Sequence, residues 1–167
     1  SGLRASAIGM DKNLTKLVCR SIGIKVPDGE KISYKNFVDK GTEIAMPYVI
    51  KPVSDGSSVG VYIINDAEDL KKVKFDDENS EILIEKYIEG QELTVAVLRG
   101  KAITVTEMRP KKGFYDYQAK YTDGATDHII PAQIPQKAFQ TALKYAEKLH
   151  EALGCQTLSR SDMRYNE

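Results

Sequence analysis

Apolar positions along the chain follow two periods, and each predicts a different kind of element. Leu14, Leu17, Val18 and Ile22 recur at helical spacing behind Asp11, a capping residue, and Gly23 supplies a stop. A stronger helical stripe comprises Phe139, Ala142, Leu143, Ala146, Leu149 and Leu153, with Pro135 suited to the first turn and Gly154 to the end. Runs at 48–50, 61–64, 82–87, 93–98, 102–108 and 155–165 predict strands, several of them rich in Ile, Val and Thr. Arg99-Gly100 predicts a tight hairpin, Glu89-Gly90 separates two strands, and Pro27-Asp28-Gly29 marks a turn. A short helix is expected from Asp66 to Val73, then a solvated acidic loop at Asp76-Asp77-Glu78-Asn79. Residues 110–127 read as a long polar loop, of a length that is functional or disordered in compact domains. The order α-β-β-α-β-β-β-α-β, without internal repeats, predicts an α+β or mixed α/β chain in two lobes meeting near residue 85.

Composition narrows the class without naming an activity. At 167 residues with 41% hydrophobic and 29% charged positions, the chain is expected to be globular rather than disordered. Lys+Arg 24 against Asp+Glu 24 argues against a scaffold that binds nucleic acid by neutralising phosphates. No apolar run approaches the roughly 18 residues of a membrane span, and no signal peptide pattern opens the chain. Cys19 and Cys155 are too few for a disulfide framework and read as packed thiols, so a cytoplasmic setting is expected. Both ends read as cut, with no initiator Met before Ser1-Gly2-Leu3 and a strand-like run closing on Glu167, so a longer parent protein is expected.

Four stretches carry candidate chemistry. Residues 51–60, KPVSDGSSVG, place Lys51 before the glycines, unlike the GxxxxGK[ST] phosphate loop. Gly56 and Gly60 permit close backbone approach to a ligand, and Ser57 and Ser58 add hydroxyls. An ordinary hairpin loop would read the same way. Glu85-Lys86-Tyr87-Ile88 offers a strand edge to a base, and Glu92 could accept from a ribose; solvated turn charges are the alternative. From Arg109 to Tyr121, cations interleave with Phe114, Tyr115, Tyr117 and Tyr121 without periodicity, which suits a lid over a site or a single-stranded nucleic-acid surface. Arg160 and Asp162 are two apart on an expected strand and share a face, as an oxyanion donor beside a Mg²⁺ ligand or as a structural ion pair. His128 and His150 have no partner at metal spacing, and His150 is expected near the solvent edge of its helix.

Together these stretches resemble the D-alanine–D-alanine ligases of the ATP-grasp superfamily. The residues carrying the resemblance are Ala5-Ser6-Ala7 through Met10-Asp11-Lys12, Lys51-Pro52 with Gly56-Ser57-Ser58-Val59-Gly60, and Glu85-Lys86-Tyr87-Ile88 with Glu92. Phe114-Tyr115-Asp116-Tyr117 with Ala119-Lys120-Tyr121, and Ser159-Arg160-Ser161-Asp162, complete the set in order. The resemblance implies an α+β ATP-grasp fold of two mainly antiparallel lobes, residues 1–84 and 85–167, with ATP between them. It implies that Lys12 and Lys51 meet the phosphates, that the loop of Ser57 and Ser58 closes over them, and that Lys120 reaches the γ-phosphate. Glu85, Lys86, Tyr87 and Ile88 would hold adenine, and Glu92 the ribose. Phe114, Tyr115 and Tyr117 would lie in the lid, Tyr121 would link to Ser57, Arg160 would face the reacting carboxylate, and Asp162 would bind Mg²⁺ (or Mn²⁺), one of two ions in a full enzyme. The activity implied is ligation of two D-alanines through an acylphosphate, for peptidoglycan precursors, in a cytoplasmic homodimer.

The N-terminal domain of that family, its Glu-x-Asn metal ligands and its glycine-rich substrate loop are missing from the sequence, so this piece alone is expected not to turn over. Ligases that use D-lactate or D-serine as second substrate are the near alternative, with Tyr121 favouring the dipeptide-forming type. A non-catalytic nucleotide- or RNA-binding module is the alternative of a different class.

Overall fold

The computed structural model describes residues 2–56, 58–111 and 126–166. In chain order, the first elements are α1 (Leu3–Met10), α2 (Lys12–Ser21), β1 (Gly29–Ser33), α3 (Tyr34–Lys40), β2 (Tyr48–Pro52), β3 (Tyr62–Ile64) and α4 (Ala67–Leu70). Then follow β4 (Glu81–Lys86), β5 (Gln91–Leu98), β6 (Lys101–Pro110), β7 (Thr126–Ile129), α5 (Gln136–Leu153) and β8 (Leu158–Tyr165).

Two antiparallel sheets result, ordered β1-β4-β2-β3 and β7-β6-β5-β8. In the first, strand alternation sends Tyr48, Ile50, Ile82 and Ile84 to one face, where Phe37 of α3 and Val73 close a core. The Ser33 hydroxyl caps α3 by accepting from Asn36 N at 3.2 Å, and Asp66 caps α4 through Glu68 N and Asp69 N. In the second, Leu93, Val95, Val97 and Val105 face Ala142 and Ala146 of α5. Small residues on the helix let it lie close to the sheet. Gly154 ends α5 in the left-handed conformation, φ +70°.

Several expectations need correction. β4 runs to Lys86, Glu85 pairs with both Gly29 and Val49, and the chain passes from the first sheet to the second over residues 87–90. α1, β1 and α3 arise where no element was expected, and β7 begins within the expected loop. His150 is buried, 4% exposed, with Nδ1 2.7 Å from Ser159 Oγ, because β8 packs against the helix face expected to meet solvent. α2 is also turned around. Leu14 and Leu17 are 44% and 49% exposed, while Lys16 and Cys19 are 8% and 6%. Lys12, Lys16 and Cys19 stand at i, i+4 and i+7, and this face points inward.

Gly90 holds the crossing between the sheets. Its φ is +134°, and a Cβ there would lie 2.0 Å from the Tyr165 carbonyl oxygen. Gly90→Ala is expected to cost at least about 1–3 kcal/mol through backbone strain alone, with the clash adding to it. A marked drop in the thermal midpoint checks this; an unchanged midpoint would contradict the close approach.

Candidate nucleotide-binding site

A charge cluster lies on the face of the first sheet opposite its core. Val49 pairs directly with Glu85, so Lys51, two residues on, is Glu85's diagonal neighbour on that face. Lys51 Nζ donates to Glu85 Oε1. From α2, Lys16 Nζ donates to Glu85 Oε2 at 2.6 Å. On the other flank of Glu85, β1 contributes Gly29, where a Cβ would stand 2.8 Å from Glu85 Cβ and 2.4 Å from the Ile84 carbonyl oxygen. Only glycine leaves that space. Burial opposes the charge of Glu85, but the charges of Lys51 and Lys16 outweigh it and hold the carboxyl below its usual range. For Lys16, burial prevails and lowers the ammonium's pKa despite Glu85.

Lys12 closes the mouth of the loop that follows β2. Its backbone N–H donates to Val53 O at 3.0 Å, and Nζ donates to Pro52 O at 2.9 Å, Val53 O at 3.4 Å and Asp55 O. Burial, then the neighbouring Lys51 charge, lowers the Lys12 pKa. Within the loop Ser58 and Gly60 take positive φ, 59° and 66°, and Gly56 faces open space. Lys12 thus holds the loop that leaves β2 just after Lys51, near enough to feel the charges of Lys51 and Glu85.

The stretch from Lys86 to Glu92 is partly committed to the protein. Lys86 N donates to Asp28 O at 2.9 Å and Tyr87 N to Pro47 O at 3.1 Å, so the donor for any base is shifted toward Ile88. Arg164 Nη2 donates to the Tyr87 hydroxyl at 3.0 Å and lies over its ring at 5.3 Å, while Nη1 is 3.7 Å from Glu92 Oε2. Register explains the grouping. Glu92 pairs with Arg164, Thr94 with Asp162 and Ala96 with Arg160, all on the sheet face away from α5. Arg160 Nε lies 3.1 Å from Asp162 Oδ1, which also accepts from Thr94 Oγ1 at 2.9 Å. Arg160 and Asp162 therefore do share an exposed face and do form an ion pair.

Ser57, Phe114, Tyr115, Tyr117, Lys120 and Tyr121 lie outside the described residues. Among the described residues no three His, Cys, Asp or Glu side chains cluster as a metal site. Asp162 fits one carboxylate ligand of a Mg²⁺ ion whose other partners are phosphates and water, the usual Mg²⁺ arrangement. No described helix is long and apolar enough to cross a membrane. Sequence reasoning missed Lys16; its signal was the shared helical face with Lys12, polar where a core-facing stripe is normally apolar.

Comparison with known proteins converges on one group. The family model described as "D-ala D-ala ligase C-terminus" matches residues 18–167. A D-alanine–D-alanine ligase of Wolbachia pipientis wMel is 46% identical over 99% of this chain and 53% of its own length. A crystal structure of the D-alanine–D-alanine ligase of Bacillus anthracis superposes with a TM-score of 0.80 at 34% identity, covering 100% of this chain and 56% of that one. The same enzyme complexed with ATP gives 0.74 at 32%, covering 100% and 55%. The VanG D-Ala:D-Ser ligase of Enterococcus faecalis gives 0.79 at 31%, covering 98% and 50%. The chain spans about half the length of the curated relatives it matches. Two antiparallel sheets with flanking helices, matched across the whole chain to these ligases, give it the α+β ATP-grasp fold. With that architecture, and a family match over residues 18–167, this chain belongs to the D-alanine–D-alanine ligase family.

Proposed function

We propose that the full-length protein joins two D-alanine molecules at the expense of ATP, in the cytoplasm and as a homodimer, and that this chain supplies most of the nucleotide site. Two lysines carry the reading: Lys12 bonded to the carbonyls of the loop after β2, and Lys51 at the end of β2 where that loop begins, bonded to Glu85. An ammonium has three donors. Glu85 accepts one from Lys51 and orients the rest; Lys12 fixes the loop by its carbonyls. Both cations then stand beside the place where phosphate charge must be met. Ile88 offers its N–H to adenine, and Glu92, steadied by Arg164, accepts from ribose.

The chemistry follows from what a carboxylate lacks. It is a poor acyl donor, so one D-alanine carboxylate oxygen attacks the γ-phosphorus and ADP leaves. The amine of the second D-alanine attacks the acylphosphate carbon, phosphate leaves, and the amine gives up a proton. Arg160 is placed to donate to the oxyanion of that addition. Bound Mg²⁺, with Asp162 as one ligand, would neutralise phosphate charge. Lys120 would reach the γ-phosphate, and the lid aromatics Phe114, Tyr115 and Tyr117 would exclude water from the acylphosphate, with Ser57 and Tyr121 joined as a latch.

The test is direct. Full-length protein with Mg²⁺, ATP and D-alanine is expected to form ADP and D-alanyl-D-alanine in equal amounts, and EDTA is expected to abolish both. Parallel reactions with D-serine or D-lactate as second substrate address the neighbouring specificity that the VanG likeness raises. Preferred use of either would replace D-alanine in the reading. Salt-dependent RNA binding without ATP consumption would overturn it in favour of a binding module.

A further inference from the structure

We infer that Lys16 is a positioning residue for the triphosphate: by holding one oxygen of Glu85, it keeps Lys51 from being drawn wholly onto that carboxylate. The inference rests on the ATP reading above and adds to it a residue outside the expected set.

The geometry is that of one carboxylate shared by two ammonium groups. Oε2 faces Lys16 at 2.6 Å and Oε1 faces Lys51, with all three side chains largely shielded from water. Glu85 cannot move aside, because its strand is pinned by β1 on one flank and β2 on the other, with Gly29 pressed against its Cβ. Charge then decides the outcome. With Lys16 present, two ammonium groups and one carboxylate leave an excess positive charge at the sheet face below the loop. Without it, Glu85 and Lys51 cancel. The freed Oε2 then becomes a second acceptor for Lys51, and donors otherwise available to phosphate turn inward.

A merely structural buried ion pair would be dispensable in another way. Burying charge is costly, and an apolar residue of similar volume commonly serves a core as well or better. Lys16 instead reaches across 69 residues of sequence to the one carboxylate that also binds Lys51. It lies one helical turn beyond Lys12, so the inner face of α2 sets Lys12 against the loop and Lys16 against β4.

Calorimetric titration of the full-length protein with ATP and, separately, with adenosine tests this, using Lys16→Met, Lys16→Arg, Glu85→Gln and the Lys16→Met/Glu85→Gln double variant. Lys16→Met is expected to weaken ATP about tenfold, the worth of one charge-assisted hydrogen bond, with adenosine changed less than about twofold. Lys16→Arg restores most of the ATP affinity. Once Glu85 is glutamine, adding Lys16→Met is expected to change ATP affinity by less than about twofold, since the two act as one unit. That last comparison also serves if Lys16→Met alone does not fold. Equal losses for ATP and adenosine, no loss for ATP, or a full Lys16 effect in the Glu85→Gln background would each overturn the inference. Wild-type protein that binds no ATP would instead overturn the nucleotide reading itself.

Discussion

Lys51→Met in the full-length protein is expected to weaken ATP binding about a hundredfold, the loss of roughly two charge-assisted hydrogen bonds to phosphate. The substitution keeps the length and apolar stem of the side chain, so the strand should hold its register. It removes the donors at the end of β2 and releases Glu85 Oε1 from its ion pair. A carboxylate with one oxygen unpaired now lies where phosphate must approach, so repulsion adds to the lost attraction. Adenosine binding should change less, because the donors removed are the ones assigned to phosphate. Titration with ATP and adenosine separates the two, and an ATP affinity within twofold of wild type, about 0.4 kcal/mol, would remove Lys51 from the phosphate site.

Glu85→Ala is expected to destabilise the protein most, by about 3–5 kcal/mol, because it leaves the ammonium groups of Lys16 and Lys51 without their shared partner. Lys51 retains some access to solvent and can turn outward; Lys16 cannot, and dominates the cost. The pH dependence has a definite sign. Burial opposes the charge of Glu85, but Lys51 and Lys16 outweigh it and hold the folded-state pKa below the ordinary glutamate value of the unfolded chain. Its contribution is therefore present above that unfolded value and is lost as pH falls through the folded one. Wild type and Glu85→Ala should differ most near neutrality and converge in acid below the usual carboxylate range. Chemical denaturation at several pH values measures this, and a constant difference across that window would show that the charge of Glu85 is not what matters.

Strands with continuous β-branched content and the long stripe of α5 were legible because their signal is local. The missing elements had none. α1 follows Gly2, which offers no side-chain cap, and β1, with the sequence GEKIS, carries one large apolar residue on a sheet edge. For α3, the capping Ser33 precedes a segment whose one buried side chain is Phe37. In the candidate site, Arg160 and Asp162 were readable as a pair because strand period alone places them on one face. The joining of Lys16 to Glu85 was not readable, since it depends on α2 presenting its polar side to the sheet. The exposed Leu14 and Leu17 actively mislead: apolar spacing reports that a helix has two faces, and burial alone reports which one is turned inward.

α1 and α2 have divided attachments. The lysines of α2 act on the first sheet, yet the Lys148 ammonium of α5 donates to the Ile22 carbonyl at the end of α2, and Arg4 of α1 lies against Gly154 at the end of α5. The helical pair is therefore a lever whose fulcrum is on one lobe and whose tip is in the other. The two lysines that serve the charge cluster are thus borne on a helix pair fastened to both sheets at once.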